Sequence, residues 1–193
     1  MSLTKILTVA FLVIAVGIAY YLYDRIKFSI DEEERIATIE SQVIEKLRFI
    51  RDAEIIYKDA NGRYTSDWNK LKSFIDTGTL YITQRREITT LLEYGAEETT
   101  IEVDTLASVP VKDSLFNNPN YQKFDINELS SVPVSNAKFE LFADVINRNS
   151  VQVNVFEVKD TAPVNPARRG EESVTGPLRV GSRTEVTTAG NWE

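Results

Sequence analysis

The stretch "ILTVAFLVIAVGIAYYLY", residues 6 to 23, contains no charge, and that run restricts what the rest of the chain can be. As a helix it is about 27 Å long at ~1.5 Å per residue, close to the roughly 30 Å of a bilayer's hydrocarbon core. Tyr20, Tyr21 and Tyr23 cluster at its far end, where an amphipathic ring favours the headgroup level, and Asp24, Arg25 and Lys27 follow at once. The reading is a transmembrane anchor over residues 1–29. A cleaved secretory signal competes with it, Lys5 being the basic start and Gly17-Ile18-Ala19 the small-residue cleavage site, but the run exceeds the ~7 to 15 apolar residues usual in such a signal. Within the anchor, Ala15, Gly17 and Ala19 form a small-residue stripe suited to helix packing in lipid.

The basic residues near the anchor are Lys5 on one side and Arg25, Lys27 and Arg35 on the other, a bias that by itself keeps the C-terminal side in the cytoplasm. Long domains are translocated largely regardless of such charges. The expected placement is a single pass through an inner membrane, with the C-terminal domain outside it.

From Ile30 to Ala60 there is neither proline nor glycine, and Ile36, Val43, Ile50 and Tyr57 recur every seven residues, with Ile39 and Ala53 at the second apolar position of the heptad. A continuous helix over this stretch is about 45 Å long. Lys46 interrupts the second position, while Ile44, Leu47, Phe49 and Ile56 widen the apolar face. That width favours packing on the protein's own sheet over a two-stranded coil, yet Ile36, Ile39, Val43, Ile50 and Tyr57 remain the residues expected to meet another helix. Asp31 to Glu34 place negative charge at the start of this helix, where it complements the dipole.

Asp59-Ala60-Asn61-Gly62 ends the helix, with Asn61 or Gly62 in the left-handed conformation. It has the opening spacing of a calcium loop without the further acidic positions or the closing glutamate, so no metal is expected. Thr65 or Ser66 is placed to cap a second helix in which Trp68, Leu71 and Phe74 or Ile75 share one face, and Gly78 stops it. Residues 30–78 thus read as a helical stalk and elbow.

Beyond Gly78 the pattern changes to strands: "LYIT" at 80 to 83, "TIEVDTL" at 100 to 106 and "SVPV" at 108 to 111. The clearest hairpin follows. Phe139, Leu141, Ala143 and Val145 alternate, "NRNS" turns, and Val151, Val153 and Val155 alternate again. This implies a head over residues 79–159, an antiparallel sheet with one buried face covered by a helix. Its expected core is Trp68, Leu71, Phe74, Phe139, Leu141, Val145, Val153 and Val155. "FNNPNYQKF", 116 to 124, reads as a turn-rich loop and "DINELSS" as one helical turn. Residues 160–193 hold half of the prolines and half of the glycines and read as an irregular strap attached by Leu178, Val180 and Trp192. The fold class is α+β.

Composition narrows the function. A net charge of -7, with no basic run longer than Arg85-Arg86 or Arg168-Arg169, lacks the footprint needed to hold a phosphate backbone, so nucleic acid is not an expected partner. Cysteine and histidine are absent, which removes disulfides, thiolate nucleophiles, imidazole bases and the usual zinc, haem and iron–sulfur ligands. No cofactor is expected. The adjacent acids Glu97-Glu98 and Glu171-Glu172 read as solvent-facing charges rather than a carboxylate pair held ~5 to 10 Å apart across a cleft. With no phosphate-cradling glycine loop and no nucleophile elbow, the chain reads as non-enzymatic.

An uncharged N-terminal helix, an amphipathic continuation, "IRDAEIIYKDANGRYTSDWNKLKSFI" and then an antiparallel sheet together resemble the type IV pilins and type II secretion pseudopilins over residues 5 to 80. The resemblance implies a bent N-terminal helix carrying a small sheet domain, with its apolar half packed in a filament. Pilin processing uses a glycine or alanine before a Phe-Thr-Leu-type start and a glutamate at the fifth mature position. This chain has "KILTVAFLV" and no acidic residue before Asp24. "VPVKDSLF", 109 to 116, and "LRVGSRTEVTTAGNWE", 178 to 193, resemble segments of small uncharacterised bacterial envelope proteins. The order of parts is also similar to the single-anchor alignment subunits of pilus and secretion platforms. The expected function is a structural subunit of an envelope assembly, a pilin-like filament protein or an inner-membrane platform component, with membrane lipid and other protein subunits as partners. The alternative is a membrane-tethered ligand-binding or sensory module, with the loop from Phe116 to Phe124 and the strap as a binding rim.

Overall fold

The computed structural model describes the backbone of residues 3–91, 97–148, 150–170 and 175–193, and the side chains of these except 3–6, 9, 90, 91, 97 and 98. It is α+β, with a long N-terminal helix, short helices and two antiparallel sheets. By compactness the chain divides into Met1–Gln42 and Val43–Glu193.

Helix α1 runs Leu3–Asn61, as expected of a stretch whose only glycine before Gly62 is Gly17 and which contains no proline. Gly62 ends it at φ 76°, donating its N–H to the Lys58 carbonyl at 2.7 Å, the left-handed stop that glycine makes at least steric cost. Helix α2 spans Trp68–Thr77. Its cap is Asp67, whose carboxylate accepts the Asn69 N–H at 2.8 Å. The expected cap Thr65 instead accepts the Asp67 N–H, one step earlier in the turn. Gly78 closes α2 with extended backbone, φ -70°. A Cβ there would lie 2.3 Å from the Phe74 carbonyl oxygen, so close approach selects this glycine.

The strands depart from the expected single sheet. Strands β1 (Thr79–Leu91) and β2 (Glu97–Pro110) form a two-stranded ribbon far longer than the short segments read from the sequence. The polar stretch Gln84 to Glu87, which no alternation flags, belongs to it. Val111, read as strand, opens helix α3 (Val111–Phe116), with Pro110 before it at φ -56° and ψ 135°, where proline has no N–H to continue the ladder. The second sheet orders β3 (Glu140–Arg148), β4 (Val151–Lys159) and β5 (Arg179–Gly181). The strap is therefore not wholly irregular, since β5 pairs Val180 with Val158.

Register corrects the face assignment. Arg148 pairs with Val151, so Leu141 lies opposite Val158 and Ala143 opposite Phe156, whereas Val153 faces Ile146 and Val155 faces Asp144. Opposed residues share a face. The two alternations therefore lie on opposite faces, and β4 is buried on both from Val155 to Val158. Val145, expected in the core, is exposed beside Asn154 near the hairpin end. Asn149, within the expected turn, lies outside the described residues.

The core of the second unit forms on the last turns of α1, where Val43, Leu47, Ile50 and Ala53 recur at helical spacing and are buried. Phe49 stands beside them, fully buried, with Phe116, Tyr121 and Phe124 at centroid distances of 5.6, 5.0 and 5.4 Å. Leu71 and Ile75 of α2 are buried and Phe74 meets Tyr57 edge-on at 5.0 Å, while Tyr64 packs on Phe156 at 4.5 Å. Phe139, Leu178 and Val180 complete the core.

Candidate functional site

Two kinds of surface carry the residues singled out by the sequence. The first is the N-terminal part of α1. Phe11, Leu12, Val13, Ile14, Val16 and Ile18 are all more than half exposed, and the apolar exposure continues through Ile26 and Phe28 to Ile30. Ala15, Gly17 and Ala19 are exposed among them, and nothing lies within 4 Å of a Cβ built on Gly17. Tyr21, at the end of the uncharged run, accepts the Arg25 Nε–H at 3.2 Å, with the guanidinium 5.4 Å from its ring centre. Among the described residues no helix is long and apolar enough to cross a membrane. A bilayer-length stretch of described side chains starts at Ala10 and so runs into Asp24, Arg25 and Lys27.

The second is the heptad stripe further along α1. Ile39, Val43 and Ile50 are buried within this chain, Val43 and Ile50 at 2% and 0% exposure, while Ile36 and Tyr57 are half-buried. Val43 and Ile50 already occupy the chain's own core and present no face to a neighbouring stalk. Of the expected head core, Leu71, Phe139 and Val155 are buried, Trp68, Phe74, Leu141 and Val153 are half-buried, and Val145 is exposed. The rings of Phe116 and Phe124, proposed from sequence as a binding rim, pack on Phe49 instead.

Two charged residues share the buried stripe. Lys46 donates from Nζ to the carbonyls of Glu128 at 2.5 Å and Ser131 at 2.7 Å, fastening the turn that buries Leu129 onto α1. Burial pulls its ammonium below the ordinary range, with Glu128 opposing. Glu54 is fully buried, and its Oε2 accepts the Thr65 N–H at 3.1 Å. Its Oε1 has no partner among the described residues. Burial pushes this carboxyl up to about 8, opposed in part by the Thr65 N–H. The missed signal was a charge at a core position of a helical stripe, which must find a partner or lose its charge.

A third polar group lies on the β3–β4–β5 sheet. The buried Glu157 accepts from Arg183 Nε at 2.8 Å and Arg179 at 3.4 Å, while Arg183 also pairs with Glu140 at 2.8 Å and stacks over Phe142 at 4.8 Å. Arg183 holds the Glu140 carboxyl below its usual range. These cations satisfy Glu157 and pin β5 and the strap to β4. An open groove of about 920 Å³ runs along the strap, lined by Val134, Lys159, Thr161, Pro163 and Arg169 among others. The acid pair Glu171-Glu172 lies outside the described residues, as do the side chains of Glu97 and Glu98.

Among the described residues no group of three acidic, histidine or cysteine side chains is placed to hold a metal ion. No family model, curated protein or solved structure matches the chain. Its function is accordingly argued from its own surfaces.

Proposed function

We propose that the chain is a non-enzymatic structural subunit of a bacterial envelope assembly, rooted in the inner membrane by residues 6–23 and carrying its head outside it. One observation carries this reading: among the described residues, the large apolar side chains from Leu7 to Ile30 stay exposed along one helix. At about 25 cal/mol per Å² of apolar surface, keeping so many large side chains in water is expensive, and lipid or a neighbouring helix removes that cost. The run without charge, the tyrosines at its end and the charges just beyond support lipid as the surrounding medium. Pairing between anchors uses Gly17 with Ala15 and Ala19, where small side chains let two backbones approach. Val43 and Ile50 lie in the chain's own core, so this reading uses the anchor, and not that part of the stalk, as a contact between helices. A pilin-like subunit and a platform subunit differ in whether the N-terminus is processed.

The test is carbonate extraction of membranes from cells expressing the full chain, with protease added to intact spheroplasts. The expected result is a chain that stays in the pellet and a head cleaved from outside. Replacement of Val13 and Val16 by arginine should release it. A full-length chain recovered in the soluble fraction would refute the anchor. The ligand-module alternative rests on the groove beside Lys159 and Arg169, and a small molecule retained by a detergent-solubilised monomer in native mass measurement would favour it.

A further inference from the structure

The β1–β2 ribbon leaves the rest of its unit at Gly78, whose carbonyl accepts the Val111 N–H at 3.0 Å. Leu80 and Val109 are half-buried at its base, but from Tyr81 to Thr89 and from Thr99 to Ser108 every residue is exposed, on both faces. Tyr81 at 68% and Val103 at 64% are typical, with Ile82, Ile88, Ile101 and Leu106 beside them. No third strand joins the sheet among the described residues. Two-stranded ribbons are marginal alone in water, and each edge offers a row of unpaired N–H and C=O groups. Their chemistry selects the partner.

We propose that β1 is the seam of a homodimer. In it, β1 of one chain pairs antiparallel with β1 of a second copy about a two-fold axis through Arg86, giving a four-stranded sheet in the order β2-β1-β1-β2. A two-fold axis perpendicular to a sheet keeps each residue on its face, so residues equally distant from the axis lie opposite one another. Arg85 then faces Glu87 of the second copy, and Glu87 faces its Arg85. Gln84 faces Ile88 and Thr83 faces Thr89. The two Arg86 residues meet at the axis as a like-charge pair, each flanked by the Glu102 directly opposite it in its own ribbon. Neither Arg85 nor Glu87 makes an ion pair among the described residues.

The other arrangements fit less well. The β1 seam sets one like pair, Arg86 on Arg86, against two opposite-charge pairs, whereas symmetric pairing of β2 about Val103 sets Glu102 against Asp104 twice and, with no basic residue on β2, gives no opposite-charge pair in return; like charges directly opposed are destabilising. Adding β2 of another copy to β1 matches charges, but it repeats a chain every ~10 Å of sheet. Behind each ribbon stands a body of roughly 120 residues, about 27 Å across as twice its radius of gyration, and such bodies collide. The two-fold pairing sends them to opposite ends of a ribbon about 40 Å long. A lipid surface meets charges on both faces, since Arg86 and Glu102 lie on one and Arg85 and Glu87 on the other.

The absence of cysteine makes the test clean. In the full chain in mild detergent, Arg86→Cys puts two thiols opposite each other at strand spacing, within the reach of a disulfide. Mild oxidation should give a covalent dimer, and Glu102→Cys on the far edge should not. Arg85→Glu and Glu87→Arg should each weaken the non-covalent dimer roughly tenfold, and the double swap should restore it. No cross-link at position 86, equal cross-linking at 102, or a double swap no better than the singles would overturn the proposal. If no cross-link forms and ribbon amides slow in hydrogen exchange only with anionic vesicles, lipid is the occupant. If they stay fast with vesicles as well, neither a second copy nor lipid covers the edge. Either result also overturns the homodimer.

Discussion

Replacing Glu54 by glutamine should turn a pH-sensitive core into a pH-insensitive one. Glu54 is fully buried, with one oxygen on the Thr65 N–H and the other unpartnered among the described residues. Its carboxyl titrates near 8 in the folded chain against an ordinary 4.5. Between these values the native state holds a proton that the unfolded state has lost, so native binds more protons and stability falls as pH rises. The stabilising contribution of the neutral acid is complete below about pH 4.5, declines by about 1.4 kcal/mol per pH unit, and is gone above about pH 8. At pH 7 the loss is on the order of 3 kcal/mol. Glutamine keeps an oxygen for Thr65 and cannot ionise. The assay is urea unfolding of both full chains in mild detergent, followed by the fluorescence of Trp68 and Trp192 at pH 5, 6, 7 and 8. The two chains should be close at pH 5 and diverge steadily in favour of Glu54→Gln up to pH 8. Parallel pH profiles would refute the neutral buried acid.

Two further outcomes follow from the same core. Phe49→Ala should cost about 3 to 5 kcal/mol in the same unfolding measurement, since it empties the ring site shared by Phe116, Tyr121 and Phe124; a loss below about 1 kcal/mol would mean the cluster is not closed in solution. Lys46→Met should cost about 2 kcal/mol by stripping the Glu128 and Ser131 carbonyls of their donor, and amides in the 125–131 turn should exchange faster with solvent while those of β4 do not.

Legibility followed the range of the interactions. Helix periodicity and the Gly62 stop are local, so α1 and α2 were readable to within a few residues. The ribbon was not, because Gln84, Arg85, Arg86 and Glu87 carry neither alternation, since neither face is buried, nor β-branched or aromatic side chains, the signals by which a strand is read from one sequence. The hairpin was found but its faces were not, since two alternations read separately do not say which residues oppose one another, and a slip of one residue moves every side chain to the other face. The heptad stripe showed that α1 has a buried face without saying what covers it: the same spacing serves a second stalk or the chain's own core.

The amino-acid sequence by itself determined the uncharged run at the start, the unbroken helix behind it, the absence of histidine and cysteine chemistry, and a change to strands after Gly78. All of these depend on side-chain chemistry and near-neighbour spacing. Only the tertiary structure decided that Val43 and Ile50 are internal, that Phe116 and Phe124 close on Phe49, that Glu54 is held in the core and that β1 pairs with β2 alone among the described residues. Each of those turns on which distant segments meet, and burial follows from that pairing, not from the hydrophobicity of any one residue.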